Sequence, residues 1–389
     1  MHDSCGFVLA FPHDCVHDNA VLFQDSFRWF RCCVGTEREP CRGRSTCALV
    51  CVDGSLCACS LSRGCALDMH ACMHKGTHSA TQPFPSSHKS SVPSHSYTYK
   101  HTTIHQYIYI ATANIAVHLT NYVDHAYAGS QNASGDDQLQ LDIQCDEAVF
   151  RAVKESGVYA TVASEETPEE TKVGDGIYSL GCDPLDGSSI IDANFSVGSI
   201  YGIWPGSKLV GRTGREQLAS AVALYGPRTV LCIALAEPKC AFEVTLVQNR
   251  MEWQVSRDSI QIQPSGKVFA PGNLRATNDH EQYSKLVQHW MAERYQLRYS
   301  GGMVPDVYHI LAKSKGVFTN VSSATAKAKL RLLYEVAPMG LIVECAGGEA
   351  IFEAEDKSVL DITIDHTDHR VGVCFGGKAE VDKYREFMF

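Results

Sequence analysis

The sequence predicts an α/β protein of two domains, and three observations carry that prediction. The chain is 389 residues long, enough to bury two hydrophobic cores. Helical and strand-like apolar periods alternate through residues 111–389. At Cys182-Asp183-Pro184-Leu185-Asp186-Gly187-Ser188-Ser189 a strand pattern runs into a turn and a helix start. Pro184 fixes its own φ and pushes Asp183 towards an extended conformation. The Gly-Ser-Ser that follows offers backbone N–H groups at a helix start, where an anion is favoured.

Composition narrows the partners. A net charge of −10 argues against a nucleic-acid surface. No apolar run reaches membrane-spanning length; the patch from Tyr107 to Val117 is short and broken by Asn114. Of 17 cysteines, eleven precede residue 110, and the later six (Cys145, Cys182, Cys232, Cys240, Cys345, Cys374) are scattered. Scattered thiols suit buried free cysteines in a reducing compartment.

Residues 1–110 read as an extension, disordered in composition or preceding a mis-assigned start. Cysteine and histidine are dense there, but Cys32-Cys33 and Cys57-Ala58-Cys59 lack the paired spacing of a zinc ribbon. No charged start with an apolar core opens the chain, so secretion is not expected. The first domain is expected at 111–265. Ile115, Val117, Leu119, Tyr122, Val123 and Ala126 suit one helical face, and residues 129–135 form a loop. The stretch from Asp136 to Asp142 enters a helix through Cys145, Val149, Phe150 and Val153. A strand at 161–164 ends on Glu165 and Glu166. Strands follow at 195–204, 229–236, 242–247 and 253–262, with a helix at 216–225 closed by Gly226-Pro227. The second domain, 266–389, reads as a strand and loop at 268–277, a helix at 282–293 and a glycine-bearing turn at 297–306. A short strand at 316–320, an alternating strand at 327–335, a helix at 336–348 ended by glycine, a strand at 371–375 and a helix at 379–389 complete it.

Asp183, Asp186 and the Leu185 carbonyl can converge on one point, and hard oxygens so placed suit Mg²⁺. An ordinary Asx turn before a helix shares the bare Asp-x-x-Asp pattern. More blocks surround it: Asp136 to Asp142, the Glu165-Glu166 pair, and Ile191-Asp192-Ala193-Asn194-Phe195-Ser196-Val197-Gly198. Arg298-Tyr299 and Lys329-x-Arg331-x-x-x-Glu335 follow in turn. In this order the blocks resemble the fructose-1,6-bisphosphatase and sedoheptulose-1,7-bisphosphatase family over roughly residues 112–389, and Trp204-Pro205-Gly206 looks more like the sedoheptulose branch.

The resemblance implies a layered αβαβα sugar-phosphatase fold with its site between two domains. It implies metal ligands at Glu165, Glu166, Asp183, Leu185 (carbonyl), Asp186 and Glu335, holding about two or three Mg²⁺. Asp142 with Glu166 would activate water, with Asp136 beside them. The 1-phosphate would rest on the N–H groups of Gly187, Ser188 and Ser189, with Arg331 near. Asn273, Tyr299 and Lys329 would take the distal phosphate, and Arg298 would reach a neighbouring subunit in a homodimer or homotetramer. From the residues alone, Lys329 could equally be a solvated lysine and Tyr299 a half-buried core residue. Thr319 stands where fructose enzymes carry a tyrosine, which leaves room for a seven-carbon sugar. Ile177 stands at an AMP-contacting lysine, so AMP inhibition is not expected, and residues 127–134 lack the cysteines of a thioredoxin switch. The implied reaction is Mg²⁺-dependent hydrolysis of the 1-phosphate of sedoheptulose 1,7-bisphosphate. The alternatives are fructose 1,6-bisphosphate as substrate, an inositol-monophosphatase-like enzyme, or a catalytically silent binder of sugar phosphates. The compartment is expected to be cytoplasmic or organellar.

Overall fold

A computed structural model describes residues 29–30, 49–52, 56–59, 94–122, 127–131 and 137–389. Within residues 12–92, three short strands, β1 (Trp29–Phe30), β2 (Leu49–Val52) and β3 (Leu56–Cys59), pair antiparallel in that order. Most of the expected extension, and Asp136, lie outside the described residues.

The larger compact unit takes in residues 93–389. It opens with α1 (Ser94–Thr120), a small hairpin of β4 (Tyr127–Gln131) and β5 (Asp137–Leu139), and α2 (Gln140–Ser156). The two helices cover one face of an eight-stranded sheet. Its strands are β6 (Tyr159–Ser164), β7 (Thr171–Lys172), β8 (Tyr178–Asp186), β9 (Val197–Pro205), β10 (Ala219–Tyr225), β11 (Thr229–Leu235), β12 (Cys240–Val247) and β13 (Glu252–Arg257). Their spatial order is β13-β12-β11-β10-β9-β8-β6-β7, antiparallel except where β6 runs parallel to β8. A second sheet holds β14 (Val268–Gly272), β15 (Gln296–Leu297), β16 (Val317–Asn320), β17 (Glu349–Phe352) and β18 (Val373–Gly376), in the order β15-β14-β16-β18-β17. Helices α4 (Met303–Lys313) and α5 (Ala337–Cys345) lie between the sheets, and α3 (Glu281–Ala292) with α6 (Lys378–Met388) closes the outer face. This is the layered αβαβα arrangement expected from the sequence.

Side-chain alternation explains the stacking. Leu231 and Ile233 of β11 face α1 and α2, while Cys232 and Ala234 face the middle layer. Both faces are buried, so the strand reads as an unbroken apolar run. In β18, Val373 and Phe375 point inward and Cys374 points to α3 and α6. Each fully buried Leu, Ile, Val or Phe contributes about 1.5–3 kcal/mol, which makes this alternation the main source of register.

Several expectations are corrected. Helix α1 starts at Ser94, ahead of Ala111, and stops at Thr120 before Val123 and Ala126. Residues 219–225 are strand β10, not a helix: alanine favours helix locally, but the segment is paired on both sides, Ala219 opposite Ile203 and Leu235. Residues 327–335 keep the alternation, with Ala326, Ala328 and Leu330 buried and Lys327 and Lys329 exposed. They form no ladder beyond an Arg331–Arg370 bridge, and Leu332–Val336 is a buried π-helical turn. The strand expected to reach 262 ends at Arg257. Helix α4 and strand β17 were not anticipated; Gly301-Gly302 and Pro305 read as loop, yet proline is tolerated in a helix's first turn.

Gly202 of β9 sits against the middle layer. A β-carbon there would lie 2.6 Å from the Trp204 ring, 2.8 Å from Gln217 Oε1 and 2.8 Å from Pro338 Cγ. Gly202→Ala is therefore expected to cost about 1–3 kcal/mol by overpacking, read as a lower urea midpoint with an unchanged slope.

Candidate active site

Strand β8 delivers the first two acids. Successive residues on a strand face opposite ways, so Asp183 and Asp186 would normally diverge. The register with β9 shifts between them: Asp183 lies opposite Ile200 and Asp186 opposite Gly198. The extra residue is a β-bulge, which re-aims a side chain and turns both carboxylates to one side. Glu335 arrives from the π turn ahead of α5. One oxygen from each of Asp183, Asp186 and Glu335 lies within 4.8 Å of the others, and all three residues are buried.

Fixed donors hold the nest. The Leu185 amide donates to Asp183 Oδ1 at 2.9 Å. Helix α4 aims its first N–H groups at Asp186: Met303 N to Oδ1 at 3.3 Å and Val304 N to Oδ2 at 2.7 Å. Such groups have no partner inside their own helix. The Arg331 amide donates to Glu335 Oε2 at 2.6 Å. Glu165 leaves the end of β6, its amide bonded to the Cys182 carbonyl at 3.1 Å. Its carboxylate meets Arg331 Nη1 at 2.5 Å, and Arg331 Nε reaches Asp368 Oδ1 at 3.1 Å.

The electrostatics follow from crowding. Burial, then Glu165, Asp186 and Glu335, hold the Asp183 carboxyl well above the usual range. Burial and Glu165 likewise push Glu335 up, opposed by Arg331. Burial raises Asp186 to about 7 against the pull of its two amide donors. Asp142, at the third position of α2, receives the Leu139 amide at 2.8 Å and is raised by burial to about 6. Burial first, then the charges of Asp142, Asp183, Asp146 and Glu166, push the Cys145 thiol up. Buried carboxylates that repel one another and keep free lone pairs fit a hard divalent cation.

The other expected residues fall as follows. Gly187 has φ 88°, a conformation glycine adopts freely, and opens the single turn Ser188–Ile190 beside Asp186. Arg331 is tied to Glu165 and Asp368 rather than left open. Tyr299 is half exposed, and its hydroxyl is pushed up by partial burial first, then by Asp306, with Arg275 opposing. Lys329 and Arg298 are exposed, Arg298 donating to the Leu297 carbonyl at 2.7 Å. Asn273 uses its amide nitrogen on the Val321 and Ala326 carbonyls, both at 2.7 Å, so it holds the 321–326 loop. Thr319 does not face the sugar site: it is fully buried and pairs with the Tyr283 hydroxyl at 3.1 Å, and the argument from extra room falls. A hollow of about 380 Å³, lined by Pro168, Glu169, Glu170, Val210, Asp365, His366 and Thr367, contains none of the expected residues. The expected residues gather instead at the converging carboxylates. Asp368, Asp306 and the α4 amides were missed, for no local motif marks them.

A family model described as "Fructose-1-6-bisphosphatase, N-terminal domain" matches residues 99–257, and "Fructose-1-6-bisphosphatase, C-terminal domain" matches 262–389. The chain is 48% identical over 261 residues to a chloroplastic sedoheptulose-1,7-bisphosphatase of Spinacia oleracea, covering 66% of each chain. It is 45% identical over 279 residues to that of Chlamydomonas reinhardtii, covering 72% of this chain and 71% of the other. Against a class 1 fructose-1,6-bisphosphatase of Geobacter sulfurreducens the figures are 38% over 270 residues, 68% and 84%. The match thus spans just under two thirds of the spinach protein's length. A crystal structure from Toxoplasma gondii, provisionally assigned as a sedoheptulose-1,7 bisphosphatase, matches with TM-score 0.70 at 36% identity, covering 77% of this chain and 99% of that one. Leishmania major fructose-1,6-bisphosphatase in holo form gives 0.68 at 27%, with the same coverage.

Burial predicts a pH signature. The folded protein keeps protons on Asp142 up to about pH 6 and on Asp186 up to about pH 7, whereas the unfolded chain releases them near pH 4. The folded state binds more protons in that window, so its stability is full below it and falls as pH rises through it. Without metal, the melting temperature is expected to drop from about pH 4 to about pH 7, and Mg²⁺ is expected to raise it more at about pH 8 than at about pH 5. A melting temperature in EDTA that climbs across the same range would rule the nest out.

Proposed function

We propose that this chain, which belongs to the fructose-1,6-bisphosphatase family, is a Mg²⁺-dependent phosphatase that removes the 1-phosphate of sedoheptulose 1,7-bisphosphate. The products are sedoheptulose 7-phosphate and inorganic phosphate. The observation that carries the reading is the convergence of Asp183, Asp186 and Glu335 within 4.8 Å, beside Glu165. The seven-carbon substrate is favoured by the 48% and 45% identity to proteins named for it, against 38% to a named fructose enzyme.

The acids Glu165, Glu166, Asp183, Asp186 and Glu335, with the Leu185 carbonyl, would hold about two or three Mg²⁺. Bound there, Mg²⁺ would neutralise charge on the phosphoryl group and make water more acidic. The residues supply the rest. Asp142 and Glu166 accept the proton of the attacking water as its oxygen bonds to phosphorus and the bond from phosphorus to the C1 oxygen breaks. The sugar oxygen takes up a proton from solvent and leaves as the hydroxyl, and the acid pair returns its own proton to solvent. The amides of Gly187, Ser188 and Ser189 cradle the phosphate oxygens, and Arg331 adds positive charge at the rim. Tyr299, Lys329 and Arg275 suit the distal phosphate, and the exposed Arg298 would reach a second subunit in a homodimer or homotetramer. Buried free thiols at Cys145, Cys182, Cys232, Cys345 and Cys374 fit a reducing compartment, cytoplasmic or organellar.

Phosphate release from the two bisphosphates, with and without Mg²⁺, tests this. Faster turnover of the seven-carbon ester and loss in EDTA are expected; release from neither would favour a silent binder. Glu166→Gln should keep its fold, read by circular dichroism, and lose at least ~10²-fold in kcat. Near-normal turnover would remove Glu166 from the role.

A further inference from the structure

We infer that Asp146 is a positioning residue for the acid pair at the tip of β6, acting through Ser164 and Thr167; this rests on the reading of Glu165 and Glu166 just given. Asp146 stands four residues after Asp142 on α2, so the two carboxylates share one helix face. It is buried. Its Oδ1 accepts from Ser164 Oγ at 2.6 Å and its Oδ2 from Thr167 Oγ1 at 2.9 Å. Ser164 Oγ in turn accepts from the Thr167 amide at 2.9 Å, and the Ser164 amide donates to the Thr167 carbonyl at 3.0 Å. These bonds close residues 164–167 into a turn at both ends. Glu165 and Glu166 are its two central residues.

The chemistry of the choice is informative. A buried carboxylate is costly unless hydrogen-bonded, and an apolar side chain would fasten α2 to the sheet without that cost. What the carboxylate adds is direction. Two charge-assisted bonds fix the rotamers of two hydroxyls, and the hydroxyls fix the turn. Helix α2 thus carries both Asp142 and the clamp that aims Glu166, so the two groups proposed to activate water keep one spacing. Glu165 is set by the same turn, and through it the reach of Arg331. Supporting partners of this kind typically govern metal affinity and activity by about 10–100-fold.

The test compares Asp146→Ala with Val149→Ala, which loosens the same helix at a fully buried apolar residue with no hydrogen bond to give the turn. Asp146→Ala is expected to lower kcat about 10–100-fold and to raise half-saturating Mg²⁺ by a similar factor, with KM little changed. Val149→Ala is expected to lower the melting temperature and leave kcat and half-saturating Mg²⁺ alone. Should Asp146→Ala fail to fold, Thr167→Val removes one of the bonds at nearly constant volume and should shift both quantities the same way. Half-saturating Mg²⁺ is also read from the rise in melting temperature, without turnover. Wild-type kcat and Mg²⁺ half-saturation in Asp146→Ala, or in Thr167→Val if only that variant folds, would overturn the proposal, as would an equal kcat loss in Val149→Ala. If the wild-type protein hydrolyses no sugar bisphosphate, the functional reading fails, and the melting-temperature titration still decides the role of Asp146.

Discussion

Like charge held out of water is the constraint to which the rest of the site responds. Asp183, Asp186 and Glu335 are buried within 4.8 Å of one another, an arrangement that desolvation and repulsion both oppose. The protein answers with fixed positive ends. Helix α4 presents two amides to Asp186, and Arg331 stands over Glu165 and Glu335. Asp368 holds the far side of the guanidinium. None of these donors neutralises the group fully, and that shortfall is what suits the nest to a cation.

The layers exist to bring those pieces together. Parallel pairing of β6 with β8 sets Ser164 beside Cys182, so the acids that end each strand emerge side by side. The first sheet therefore supplies Glu165, Asp183 and Asp186 from one edge of one surface. Glu335 and Arg331 come from the segment that enters the middle layer as α5, and the α4 amides come from that layer's other helix. A site assembled this way forms only when both sheets are packed, which ties its geometry to the global fold rather than to any loop.

Much of this was legible in the sequence. The Asp183–Ser189 string marked the turn that carries two of the acids, and the resemblance to the family, rather than any spacing, added Glu165 and Glu335 to it. The strands β8, β9, β11 and β12 were legible from apolar pattern. What escaped depended on neighbours distant in the chain. Alanines of β10 favour helix until β9 and β11 flank them. The glycines ahead of α4 looked like loop because nothing local reveals that Asp186 awaits their helix. Thr319 shows a subtler limit. Alternation tells which residues share a face but not which face meets the substrate, and Thr319 turned out to face Tyr283. Asp146 and Asp368 act through contacts with residues 164, 167 and 331, for which no spacing rule exists.

The one-residue offset between β8 and β9 limits how this stretch can drift. Asp183 and Asp186 look the same way only because three steps on one strand are matched against two on the other. Exchanging a side chain between them leaves that count intact. Deleting or inserting a single codon there would rotate one carboxylate to the opposite surface, towards α2, and empty a corner of the cluster while every acid remained in the chain. The segment can change its letters far more readily than its length.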